Sequence, residues 1–155
     1  MKKLALSAAI SALLLGLASH SASAEDVTAW RLFVADHDKP IVNVIDALDG
    51  DKLNSFTVKG PANLHRSESG ATVFAVQGSA NTVNAISSGI TFHDHGDHAD
   101  IDVADAKLLN LRFDGKKPGH FVEHQGRVAQ WFDGEKFAML FREREVLEGK
   151  QNVTK

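Results

Sequence analysis

The chain has 155 residues, no cysteine, and 20 acidic against 17 basic side chains, a net charge of −3 with histidine neutral. Zero cysteine excludes a disulfide framework and any thiolate metal site, so a bound transition metal would rest on imidazole and carboxylate. A mildly acidic chain without a basic run is a poor fit to nucleic acid or to an anionic membrane surface.

Met1-Lys2-Lys3 is a short positive segment, Leu4 to Leu17 an apolar run, and Ala22-Ser23-Ala24 an Ala-x-Ala processing site ahead of Glu25-Asp26. That order is a secretory signal peptide over residues 1–24, and its apolar run is too short for a comfortable membrane span. Cleavage after Ala24 would release an exported mature chain. Lys2 and Lys3 leave with the peptide, so 15 basic side chains then face 20 acidic ones, a net −5 over 131 residues. That length is one ordinary domain with room for a core.

Ala29–Asp36, Ile41–Ala47 and Lys52–Gly60 read as strands, parted by the polar turn "DHDKP" and the Asp-Gly turn of "LDGD". Ala71–Gly78 and Thr82–Gly89 repeat the strand, turn, strand pattern. No segment of twelve or more residues beyond the signal keeps a 3.6-residue apolar period, so the fold class is all-β. Phe33–Asp46 resembles Phe74–Ser87 at an offset of 41 to 42, and "GPANLHRSESGATVFAVQG" is echoed by "KPGHFVEHQGRVAQWFDG" at 56 to 57. A unit of about 42 residues with four short strands is the signature of a β-propeller blade. Three such units fill residues 25–142, one short of the roughly four that a closed ring needs. The expected architecture is therefore an incomplete β-propeller, with residues 143–155 a charged tail that marks a truncation point. Trp30, Trp131 and the phenylalanines are assigned to blade packing.

The extra fifteen or so residues between the second and third units hold "TFHDHGDHADID", an insertion at 91–105. Insertions in repeat proteins map to loops on one face, often the binding face. Here His93, His95 and His98 stand among Asp94, Asp97, Asp100 and Asp102, and Gly96 permits a tight turn between His95 and His98. Zinc takes nitrogen and oxygen donors in tetrahedral geometry, which this set can supply; thiolate-free imidazole with carboxylate suits Zn²⁺ best, leaves Cu²⁺ and Ni²⁺ open, and disfavours Cu⁺, Mg²⁺ and Ca²⁺. Asp100 and Asp102 either ligate or hold an imidazole N–H. "GHFVEH" puts His120 and His124 on one strand face, where they could complete the site or form a second one. His37 reads as a turn residue and His65 as surface.

"AWRLFVADHDKPIVNVIDA", "GATVFAVQG", "FHDHGDHADIDV" and "KKPGHFVEHQG" together resemble the AztD family of periplasmic zinc metallochaperones, with "DHGDHAD" the most specific stretch. The resemblance runs to about Gly149 and covers only the amino-terminal part of the family's length. It implies a β-propeller that binds zinc and passes it to the solute-binding protein of a zinc ABC transporter. Carried over by motif, His95, His98 and Asp100 are the implied ligands, with His93 and Asp102 nearby and His120 and His124 from "HFVEH". No nucleophile elbow, phosphate loop or His-Glu-x-x-His motif is present, which points to binding rather than catalysis. A zinc-dependent propeller hydrolase and a protein-binding propeller without metal are the competing readings.

Overall fold

The computed structural model describes residues 29–97 and 99–155, so the expected signal peptide and its cleavage site lie outside the described residues. Among the described residues, twelve strands and one short helix follow in chain order. Strands β1 (Arg31–Ala35), β2 (Ile41–Asp46) and β3 (Lys52–Thr57) form the first antiparallel sheet. The second contains β4 (Asn63–Arg66), β5 (Thr72–Gln77), β6 (Thr82–Ser87) and β9 (Lys107–Asp114), in that spatial order. Strands β7 (Ile90–Asp94) and β8 (Ala99–Val103) make a separate two-stranded hairpin between β6 and β9. The third sheet is β10 (Pro118–His124), β11 (Arg127–Phe132) and β12 (Phe137–Arg142), followed by α1 (Glu143–Leu147). Among the described residues no sheet closes on itself, and no helix is long and apolar enough to cross a membrane.

The sequence repeat is a structural repeat. Phe33 pairs with Val44 as Phe74 pairs with Ala85, and Val34 with Asn43 as Ala75 with Asn84, a constant offset of 41. His65 opposite Phe74 recurs as Phe121 opposite Gln130, an offset of 56. Gly70 and Gly126 hold the equivalent turns at φ +74° and +71°, a region costly to residues with a Cβ. These are three blade-like units.

The middle unit is buried on both faces, so β5 reads as a continuous buried run rather than an alternating one. Phe74, Val76, Val83 and Phe113 point toward the third unit and pack on Val128, Phe132, Phe141 and Val146 of α1. Phe113 stacks on Phe141 with ring centroids 4.2 Å apart. Ala75 and Ile86 point the other way, onto Val42, Val58 and Ala62. Each such large side chain removed from water contributes about 1.5–3 kcal/mol. Gln77, fully buried, accepts hydrogen bonds from the Lys59 and Gly60 amides at 2.7 and 3.1 Å and donates to Asn84 Oδ1 at 2.7 Å, tying the link between units to the second sheet.

Three expectations change. The insertion lies inside the second unit, between its third and fourth strands, rather than between units two and three. Register shows this: Ile41 opposite Thr57 in β2–β3 recurs as Thr82 opposite Asp114 in β6–β9, so the offset grows from 41 to 57 across one strand connection. Trp30 is 63% and Trp131 40% exposed, so neither is core, whereas Phe74, Phe113 and Phe132 are fully buried. His65 is half-buried, its ring stacked on Phe121 at 4.7 Å, and burial lowers its pKa.

Candidate metal centre

The hairpin is amphipathic by strand alternation. Thr91, His93 and, just past the strand end, His95 share one face with Asp100 and Asp102, while Ile90, Phe92, Ile101 and Val103 occupy the other. At its base the Ala104 N–H donates to the Gly89 carbonyl at 2.7 Å, and Arg31 of β1 donates to the Ser88 carbonyl. Ser88 in turn donates its N–H to Ala71, in the turn between β4 and β5. At its tip Gly96 adopts φ +89°, and Asp94 Oδ1 accepts the Gly96 N–H at 2.7 Å. The short side chain of Asp94 thus closes the turn that sends the chain back.

Each described histidine reaches diagonally across the strands. His93 lies opposite Asp100 and Thr91 opposite Asp102, yet His93 Nε2 sits 3.0 Å from Asp102 Oδ2. His95 Nε2 sits 3.3 Å from Asp100 Oδ2 with the same slant. Diagonal neighbours on one sheet face are within reach of long side chains. All four side chains are at least half exposed. Donors at 2.0–2.2 Å around a tetrahedral zinc stand roughly 3.3–3.6 Å from one another. The two imidazole–carboxylate gaps are thus close to the donor spacing zinc requires, and the donor set fits it. Among the described residues no three His, Asp or Glu side chains converge as a ready-made site. His98, the third histidine of the expected set, lies outside the described residues.

His120 and His124 do share the exposed face of β10 with Val122, as the alternation required. Their surroundings differ from the hairpin's. His124 Nδ1 lies 3.1 Å from Glu68 Oε1, in a clasp between equivalent turns of the second and third units. There the Gln125 N–H donates to Glu68 Oε2 at 2.9 Å, and the Glu68 N–H donates to Glu123 Oε2 at 2.6 Å. The Gln125 amide first, and then His124, hold the Glu68 carboxyl below the ordinary carboxylate range. In this arrangement His124 serves packing of one unit against the next, and His120 stands on an open strand. The Glu68–Gln125 clasp and the Arg31 anchor were invisible in the sequence, since each joins residues more than fifty positions apart.

Fold and site together define a protein of antiparallel β-blades that presents imidazole and carboxylate donors on an exposed hairpin. The chain is 69% identical, over an alignment of 156 residues, to the zinc chaperone AztD of Citrobacter koseri; the match takes in all of this chain and 37% of that protein. It also matches the structure of apo AztD from Citrobacter koseri at 70% identity and TM-score 0.81, across 83% of this chain and 35% of the other. A crystal structure of Citrobacter koseri AztD matches at 71% identity and TM-score 0.81, across 83% and 34%. No family model matches. The resemblance to AztD thus holds along the whole sequence, and the chain spans a little over a third of the curated relative's length.

Proposed function

We propose that this chain carries Zn²⁺ as cargo in the periplasm, held on the hairpin face, and surrenders it to the solute-binding protein of a zinc ABC transporter. The observation that carries the proposal is the pair of imidazole–carboxylate couples, His93 with Asp102 and His95 with Asp100, set side by side on one exposed face. The name of the relative, a zinc chaperone, supports the same reading. An exposed site suits a carrier, because a cation on an open hairpin can be approached by an incoming ligand set. The several carboxylates offset the positive charge of the ion, and the imidazoles favour zinc over calcium or magnesium. His98, three residues beyond His95 in the sequence, is proposed as a further donor. Binding is proposed without turnover, in keeping with the relative's name, a chaperone.

Calorimetric titration of the mature chain with ZnCl₂ tests the reading. Saturable binding is expected, with affinity lowered about tenfold or more by His93→Ala or His95→Ala. Unchanged affinity and stoichiometry in the double variant would move the site away from the hairpin. Equal loss in His120→Ala or His124→Ala would place the β10 histidines in the ligand set.

A further inference from the structure

Two departures from the repeat meet at one point. One is the hairpin, which stands where the first unit has only the turn between β2 and β3. The other is Arg31. Its pairing with Asp46 recurs in the second unit as Thr72 with Ser87, and in the third as Val128 with Phe141. Thr72 and Val128 are short and buried, whereas the first unit carries a long cation at that position. Arg31 does not take the carboxylate facing it across the strands. Asp46 Oδ1 accepts the Leu48 N–H at 2.9 Å, and among the described residues no carboxylate forms an ion pair with Arg31. The guanidinium reaches instead to the Ser88 carbonyl, 57 positions away. Gly89 leaves room for it: a Cβ there would press on Arg31 Nη1 as well as on the Ala104 and Asp105 carbonyl oxygens. Ser88 is thereby held from two sides, since its N–H donates to Ala71 of the second unit at 2.8 Å. On the outgoing strand, Asn54 Nδ2 of β3 donates to the Ala106 carbonyl at 3.3 Å. That bond is longer and uncharged, and a charged donor makes a bond roughly twice as strong as a neutral one.

We propose that Arg31 is a positioning residue for the donor-bearing hairpin. Its guanidinium locks the base made by Ser88, Gly89 and Ala104 to the first unit, and so keeps His93, His95, Asp100 and Asp102 paired across one face. The inference rests on the reading of the hairpin as the zinc site. β7 starts at Ile90, next to Gly89, and β8 ends at Val103, next to Ala104, so the anchored residues are the root of both strands. A two-stranded hairpin alone in water is marginal, and its paired state depends on what holds its root. Apparent affinity for a ligand scales with the fraction of molecules in the competent conformation. Arg31 raises that fraction without touching the ion. Its charge acts in the opposite sense, because a cation near the site repels Zn²⁺. Anchor and charge therefore predict changes of opposite sign when Arg31 is removed.

The test compares the parent chain with Arg31→Met and Arg31→Lys, by amide exchange and by titration with ZnCl₂. In Arg31→Met the Ala104 amide, which closes the hairpin base, is expected to exchange about tenfold faster, while the amides of buried β5 keep the parent rate. Zinc affinity is expected to fall about tenfold with it. Arg31→Lys keeps the charge and a donor, and should recover part of both losses. Tighter zinc binding by Arg31→Met would overturn the inference, since the charge and not the anchor would then govern. An Ala104 amide as slow as the parent's would overturn it too. Faster exchange in β5 along with Ala104 would reduce Arg31 to general packing of the fold. Should the parent chain take up no zinc, the zinc reading of the hairpin fails separately, and the Ala104 rate still decides whether Arg31 holds the base.

Discussion

Gly89 and Gly96 bracket the hairpin, and substituting each with alanine separates the base of the site from its tip. Both glycines have positive φ, +72° and +89°. An L-residue forced there costs about 1–2 kcal/mol from backbone sterics alone. At Gly96 nothing lies within 4 Å of a new Cβ, so the penalty ends there. At Gly89 the Cβ would press on the carbonyl oxygens of Ala104 and Asp105 and on the Arg31 guanidinium. Two of those three are backbone and cannot rotate away. The strands must part, which also weakens the 2.7 Å Ala104–Gly89 hydrogen bond, worth about 1 kcal/mol. Gly89→Ala should therefore cost about 3 kcal/mol, against about 1 kcal/mol for Gly96→Ala. Urea unfolding reads the global share, and exchange of the Ala104 amide reads the share confined to the hairpin. Zinc affinity should fall further in the Gly89 variant, since the donor face hangs from that base. If both variants share one unfolding midpoint and one Ala104 exchange rate, the base does not position the site.

Phe74→Ala should destabilise by about 3–5 kcal/mol in denaturant unfolding, because its ring is fully buried between units and touches Phe121 and Phe141. Phe92→Ala, at 56% exposure, should change stability by less than about 0.5 kcal/mol. Zinc titrated at a series of pH values should bind more weakly as the solution is acidified, because an imidazole must shed its proton to ligate; a flat profile would exclude imidazole ligands. The lowered Glu68 pKa gives the folded state the weaker proton affinity. Its contribution to stability is thus complete above the ordinary value of 4.5 and is lost as pH falls through the folded-state value. Glu68→Gln should accordingly flatten the acid limb of a plot of unfolding midpoint against pH, and an unchanged limb would show that the clasp carries none of it. His65 is also lowered, by burial, so acid should begin to destabilise the fold as pH drops through the ordinary histidine value of 6.5; His65→Gln should remove that step.

Much of this was written in the chain itself. The alternation of Val42 and Val44 with Asn43, the turn chemistry of "LDGD", and the recurrence of Phe33 at Phe74 fixed strands and repeat without any long-range knowledge, because period and turn preference are local properties. Alternation along β7 puts His93 on the face that His95, just past the strand end, also shares. Other features needed the folded chain. Whether the histidine segment stood between units or within one depended on β9 returning to pair with β6 across the hairpin. Trp30 looked like core by its chemistry, yet it is 63% exposed among the described residues. The diagonal reach of His93 to Asp102, past its direct partner Asp100, is set by sheet geometry rather than by spacing in the sequence. The engagement of His124 by Glu68 joins turns 56 residues apart. Local sequence determines which residues can turn, alternate or ligate; which of them meet is decided by strand pairing between distant segments, and that is a property of the tertiary structure.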